Sequence, residues 1–444
     1  MGIKNRRPLR ERAAGFFRSD RVVWILAALL LAERLVALHT LGAAYTLASD
    51  DLSYVHSGIV FARTGMVTMH SGWPSAQIMP GMTWLIGLFA RVLGQGTSLW
   101  LALKLLWCAM GSLTAVFVFR SVRLYAPRWC AVLAVLPLFG PDFVWTDNLI
   151  LTETPFLLCF AAMIYFTLRM GRDGDWRAFW GCLAAYLGGL LLKANIALYP
   201  LFVLAYLLCV HYPVKKLLRQ AVVLVCVAAC FLIPWTIRNY RLFDAFVPLT
   251  YGAGNPQLLG TYQGIGFPHD EDLNYQTNVD DVARRAYARY YSADGTVPER
   301  YQKYLSLERD GIKARYRMDV WRREHLGSFV ISYLILKPLQ VVRGIFYWKR
   351  LFGIPGTWVQ ALTDVNGVVC LLLTAVALIR KRARPQVLFL AVLYLGNVLI
   401  YAMTFAYGRY NLSLMPARLI LLGIGLGTLA PFRRRADGAA RPNF

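Results

Sequence analysis

Apolar runs close to 20 residues long recur through this 444-residue chain, and no other feature limits its fold so strongly. Examples are "RVVWILAALLLAERLVALHTLG", "AVVLVCVAACFLIPW" and "LFLAVLYLGNVLIYAMTF". A helix needs about 20 apolar residues to cross a bilayer core. Charged residues make up 16% of the chain, against about 25% in soluble domains. The pattern predicts an all-α polytopic membrane protein with ten spans: 22–42, 99–119, 129–147, 153–169, 178–193, 195–211, 217–236, 358–379, 386–406 and 412–431. Two further apolar stretches are interrupted, 78–93 by Arg91 and 326–347 by Lys337, Pro338 and Arg343.

Charge placement decides how those two are counted. The net charge of +24 does not point to nucleic acid, because the basic residues sit in short loops and tails between apolar runs. Cytoplasmic loops of membrane proteins carry such an excess. If 78–93 and 326–347 lie in the interface, the inner segments are 1–21, 120–128, 169–177, 211–219, 380–384 and 433–444. They hold 24 of the 48 Lys and Arg. If both crossed, three basic loops would move outside. The expected topology is therefore ten spans with both ends cytoplasmic. The expected parts are a basic tail 1–21, kept as an uncleaved anchor region, and a transmembrane module 22–236 whose first outer loop is 43–77. An outer cap 237–325, a module 326–431 and a tail 432–444 follow. The cap holds 12 of the 24 acidic residues.

This topology gathers polar residues at the extracytoplasmic face. Asp50 and Asp51 in "ASDDLSY" follow the first span, and Ser49-Asp50-Asp51 also suits a helix start. Glu153 in "LTETP" opens another span, with Thr152 able to cap and Pro155 in the first turn. A carboxylate at membrane depth is costly and points to function. Lys193, Arg238 and Arg409 fall on the same side, and together would suit a phosphate. Asp147 is a weaker acidic candidate. The eight cysteines all lie in apolar runs, and the six histidines show no metal-ligand spacing. Nucleotide-binding glycine loops are absent, so any donor is expected from the membrane.

Five segments in order resemble the GT-C glycosyltransferases, specifically bacterial family 39-type enzymes related to protein O-mannosyltransferases and the lipid A aminoarabinose transferase. They are "SDDLSYVHSGIVFARTGMV" with "MPGMTWLIGLFARVLG", "LTETPFLL", "LLKANIALYP", "PWTIRNYRLFDAFVPLTYGAGNPQLLG" and "GRYNLSLMPARLILLGIGL". The resemblance implies inverting transfer of a hexose or pentose from a polyprenyl-phosphate sugar, at the outer face of the plasma membrane, to a lipid, glycan or protein hydroxyl. It makes Asp50 or Asp51 the base and Glu153 the second acid; position slightly favours Asp50, the first acid after the span, which is better placed to cap and face the cavity together. It makes 50–64, 78–93 and 326–347 interfacial helices. Some relatives hold a divalent cation with such acids, here Asp51 and Glu153. The second interfacial helix starts "IMPG" where relatives have an "HPP"-like start, which bears on the acceptor. A lipid-linked glycan flippase or a glycan polymerase or ligase are the competing classes.

Overall fold

The computed structural model describes residues 21–429, so the expected tails 1–21 and 432–444 lie almost wholly outside the described residues. Among the described residues there is no named strand, only an isolated bridge between Thr68 and Pro74. The all-α class expected from the apolar runs is what the chain adopts. Among the described residues, eight helices are long and apolar enough to cross a membrane. Seven coincide with expected spans: Arg21–Leu41, Thr97–Arg123, Glu153–Asp173, Val214–Phe243, Gly356–Ile379, Arg384–Ala402 and Gly408–Leu429. The expected spans 178–193 and 195–211 form the shorter helices Trp176–Leu192 and Ala194–Cys209.

The expected span 129–147 is not one helix. It forms Arg128–Val135, a 3-10 turn Leu136–Phe139 and a short helix Pro141–Thr146. Pro137, Gly140 and Pro141 cause the break, since proline removes a backbone donor and crowds the preceding turn. Freed backbone groups inside a bilayer must find partners. The buried Arg34 supplies one: its guanidinium donates to the Leu138 carbonyl at 3.0 Å and to Asp147 at 2.6 Å. Thr154 donates to the other Asp147 oxygen at 2.6 Å. Asp147, an acidic candidate, is thus consumed in holding the broken segment.

Gly408–Leu429 is the central helix, almost wholly buried from Asn411 to Gly425. Val214–Phe243 is peripheral, with few of its residues buried in the bundle. The basic loops meet at one end of the bundle. Lys216 donates to the Gly174 carbonyl, Arg380 to Thr428 and Arg123 to Ala126. The first loop and the segment 244–325 lie at the opposite end.

That end is built from short helices. Asp50–Thr64 packs on Gly81–Leu93, with Ser57 and Thr83 hydroxyls 2.8 Å apart. Thirteen residues reach only about 20 Å, too short to cross. Glu299–Glu324 packs on Gly254–Gly260 to form the cap. Its buried Arg317 donates to Thr261, Pro268, Asp270 and Tyr275 and stacks on Tyr262. The stretch Leu326–Arg343 has the length and composition of a span; its last turn packs on the transmembrane helices, where Arg418 donates to the Val342 carbonyl at 3.1 Å and Arg343 pairs with Asp364, while its first half is tied to the cap end. Ser328 and Ser332 bond the 265–266 loop, and Lys337 donates to the Gly260 carbonyl. Gly344 meets Gly408 so closely that a Cβ at either would strike backbone. This contact fixes the start of the helix whose second residue is Arg409.

Candidate active site

Four of the six candidate residues converge. Glu153 is the first residue of its helix and has no solvent exposure. Thr152 does not cap the helix; its hydroxyl instead faces Glu153 Oε2 at 3.4 Å. Lys193 occupies the extended residue between Trp176–Leu192 and the following 3-10 turn. Its Nζ donates to Glu153 Oε1 at 2.8 Å and to the Ser413 hydroxyl at 3.1 Å. Arg409 reaches the same carboxylate oxygen with Nε at 3.2 Å. Its Nη1 donates to Asp50 Oδ2 at 2.9 Å. Two carboxylates and two cations thus alternate in one chain of contacts, drawn from four segments far apart in sequence.

The adjacent aspartates part company. Asp50 faces this chain and is partly exposed, whereas Asp51 is buried. Asp51 accepts backbone N–H bonds from Leu47 at 2.7 Å and Ser49 at 3.2 Å. It ties down the preceding loop, and Ser49, expected as the cap, makes no side-chain cap bond.

Arg238 is not part of the cluster. Its Nη1 donates to the Ser75 carbonyl at 2.9 Å and to Asn239 at 2.8 Å, and the guanidinium stacks on Trp235. It holds the first loop against Val214–Phe243, so the expected three-cation site reduces to Lys193 and Arg409.

His70 is the residue that sequence reasoning missed. Its Nε2 lies 3.4 Å from Asp50 Oδ1 and its Nδ1 2.9 Å from the Ser53 hydroxyl. The backbone there is left-handed, with φ of 55°, a conformation uncommon outside glycine. Ranking histidines by metal spacing discards a single histidine; its place in the same loop as the aspartates was the available signal. Contact with His70, and then with Arg409, holds the Asp50 carboxyl down at about 2, below its ordinary 3.8.

A cavity of about 370 Å³ opens beside Asp50 and Arg409, bounded by the cap and by the segments around Phe346 and Phe405. A larger one of about 560 Å³, between the 136–143 break and the Gly356–Ile379 and Gly408–Leu429 helices, is lined by none of the candidate residues. The cluster does not fit a divalent cation. Asp51 is taken up by backbone amides, and Glu153 already balances Lys193 and Arg409. Among the described residues, no three His, Cys, Asp or Glu side chains gather to hold a metal ion.

Residues 75–237 match the family described as dolichyl-phosphate-mannose-protein mannosyltransferase. That segment includes Glu153 and Lys193. No curated protein matches the chain significantly. Among solved structures, the archaeal oligosaccharyltransferase AglB from Archaeoglobus fulgidus, in complex with an inhibitory peptide and a dolichol-phosphate, aligns with a TM-score of 0.52 at 13% identity. The alignment covers 92% of this chain and 50% of that one. ArnT from Cupriavidus metallidurans bound to undecaprenyl phosphate aligns over 92% of this chain and 78% of that one, at 17% identity and a TM-score of 0.43. The chain is thus a multi-pass membrane protein with the GT-C glycosyltransferase fold, and its segment 75–237 carries the protein-mannosyltransferase pattern.

Proposed function

We propose that this protein transfers a sugar from a polyprenyl-phosphate donor to an acceptor hydroxyl, with inversion, at the extracytoplasmic face of the cell membrane. The observation that carries this is the alternation Asp50–Arg409–Glu153–Lys193 beside a cavity at the cap end. The match of residues 75–237 supports the reaction class. The outward orientation rests on the basic loops, which gather at the opposite end of the bundle. The acceptor is a hydroxyl of an envelope glycan, lipid or protein.

In this reading Asp50 removes the proton from the acceptor hydroxyl. The acceptor oxygen then bonds to the anomeric carbon while the bond from that carbon to the phosphate oxygen breaks. Both electrons of that bond leave with polyprenyl phosphate. Lys193 and Arg409 stabilise the charge growing on the departing phosphate, the group such donors serve best. Glu153 holds both cations in place. No second carboxylate is free to act as a nucleophile, which favours a single displacement and an inverted product. A flippase would need charge poised to move with its cargo through the bundle; here the buried Arg34 and Asp147 are bonded to each other and to fixed partners.

The stereochemical test is direct. Proton NMR of the product should show the anomeric configuration opposite to that of the donor; retention would exclude the mechanism. Acid response supplies a second check. Because the Asp50 carboxyl lies near 2, it remains ionised through the ordinary carboxylate range. Its stabilising contribution is present above the unfolded value of 3.8 and is lost as pH falls towards 2. The transfer rate should therefore show no acid limb around pH 4–5. His70→Gln removes the largest influence lowering that carboxyl and should bring a limb up towards this range. A wild-type limb there, unmoved in the His70 variant, would separate Asp50 from the titration.

A further inference from the structure

The cavity beside Asp50 has walls that the proposed chemistry does not use. Phe346 and Trp348 line it from the segment after Arg343, Phe405 and Tyr407 from the turn before Arg409, and Asn255 from the cap. The Trp348 ring centroid lies 5.1 Å from Phe346 and 6.4 Å from Tyr407. Trp348 is nevertheless 62% exposed. An exposed tryptophan near a bilayer surface is ordinarily a headgroup anchor, but this one also forms a wall of the cavity that contains Asp50.

Position and charge narrow what the cavity holds. A donor phosphate at Lys193 and Arg409 carries its sugar one bond away, which puts that sugar in this space. The volume of about 370 Å³ is near the lower end of ligand pockets, roughly 300–1,000 Å³, and suits a single ring more than an oligosaccharide. The charged lining residues are Asp50 and Arg409, which bond each other. His70 also faces Asp50, and Glu153 is held by Lys193 and Arg409. Asp310 stands behind the wall and is held by Asn255 at 3.0 Å, so among the described residues no lining carboxylate is left over to partner an ammonium group.

We infer, resting on the donor reading above, that this cavity is a donor-sugar subsite for one uncharged ring. The apolar face of the ring lies against Trp348 and its aromatic neighbours, and an amino sugar is disfavoured. The full chain in lipid nanodiscs would be titrated with three probes: bare polyprenyl phosphate, polyprenyl-phosphate hexose and a polyprenyl-phosphate amino sugar. Wild type should bind the hexose form more tightly than the bare phosphate, and the amino form no more tightly than the bare one. Trp348→Ala should weaken only the hexose form, by roughly 3- to 10-fold given typical aromatic contributions, while Trp348→Phe should retain most of its affinity. Equal weakening of bare and hexose forms would overturn the subsite, as would an amino form bound as tightly as the hexose. Failure of wild type to bind any of the three probes would overturn the donor reading itself, and the subsite with it.

Discussion

Lys193→Met is expected to unfold or severely destabilise this protein, and Glu153→Gln on the same chain to rescue the fold without rescuing activity. Glu153 is wholly buried, and its charge is balanced by Lys193 at 2.8 Å and Arg409 at 3.2 Å. Removing one partner of a buried ion pair leaves an uncompensated charge and costs about 3–5 kcal/mol, a large share of ordinary stability. Neutralising the carboxylate as well removes that penalty, because the glutamine amide can still bond its neighbours. Thermal unfolding of the purified single and double variants would show this as a fall in Tm that is largely restored. If Lys193→Met alone unfolds like wild type, the pair does not hold the site together.

The second large effect separates the two aspartates. Asp50→Asn keeps the shape of the side chain and its bond from Arg409 but cannot accept a proton. General base catalysis contributes about 10²- to 10⁴-fold, so transfer by the folded protein should fall by that much, while Tm falls only by the contribution of the Asp50–Arg409 charge pair. Asp51→Asn should behave in the opposite sense. Its carboxylate serves the N–H groups of Leu47 and Ser49; hydrogen bonds to a charged group are each worth about 1.5–3 kcal/mol, so stability should fall more than the activity of the folded fraction. Parallel assays of unfolding and turnover would distinguish the two patterns.

Much of this arrangement was legible in the sequence because membranes simplify the problem. Apolar length marked seven long helices, and the bias of Lys and Arg marked the end of the bundle that carries basic loops. Knowing the ends, one expects Asp50, Glu153, Lys193 and Arg409 on a common face. What was not legible depends on side-chain direction. Consecutive helical residues point about 100° apart, so Asp50 can face the cavity while Asp51 turns back to the loop; no composition argument says which. Arg238 groups with the other cations by its position at the end of a span, but its guanidinium bonds the neighbouring Asn239 and carbonyls of the first loop, 163 residues away in the case of Ser75. The broken span is different, because "LPLFGPD" carries three helix breakers. Hydropathy alone overrode a signal that was present.

The charge chain also explains how a buried carboxylate is kept at an accessible face. Glu153 alone would be expensive at that depth. Shared by Lys193 and Arg409, it fixes both cations in place, and Arg409 in turn bonds Asp50. The Gly344–Gly408 crossing sets the start of the helix that carries Arg409.

Release of polyprenyl phosphate reports directly on whether Asp50 drives sugar transfer. Purified wild type and Asp50→Asn protein in proteoliposomes would be given polyprenyl-phosphate hexose and a cell-envelope extract as acceptor, and the freed lipid phosphate followed by mass spectrometry. Wild type should show acceptor-dependent release, and the folded fraction of Asp50→Asn protein at least about 100-fold less. Equal release by the two proteins would contradict that role for Asp50.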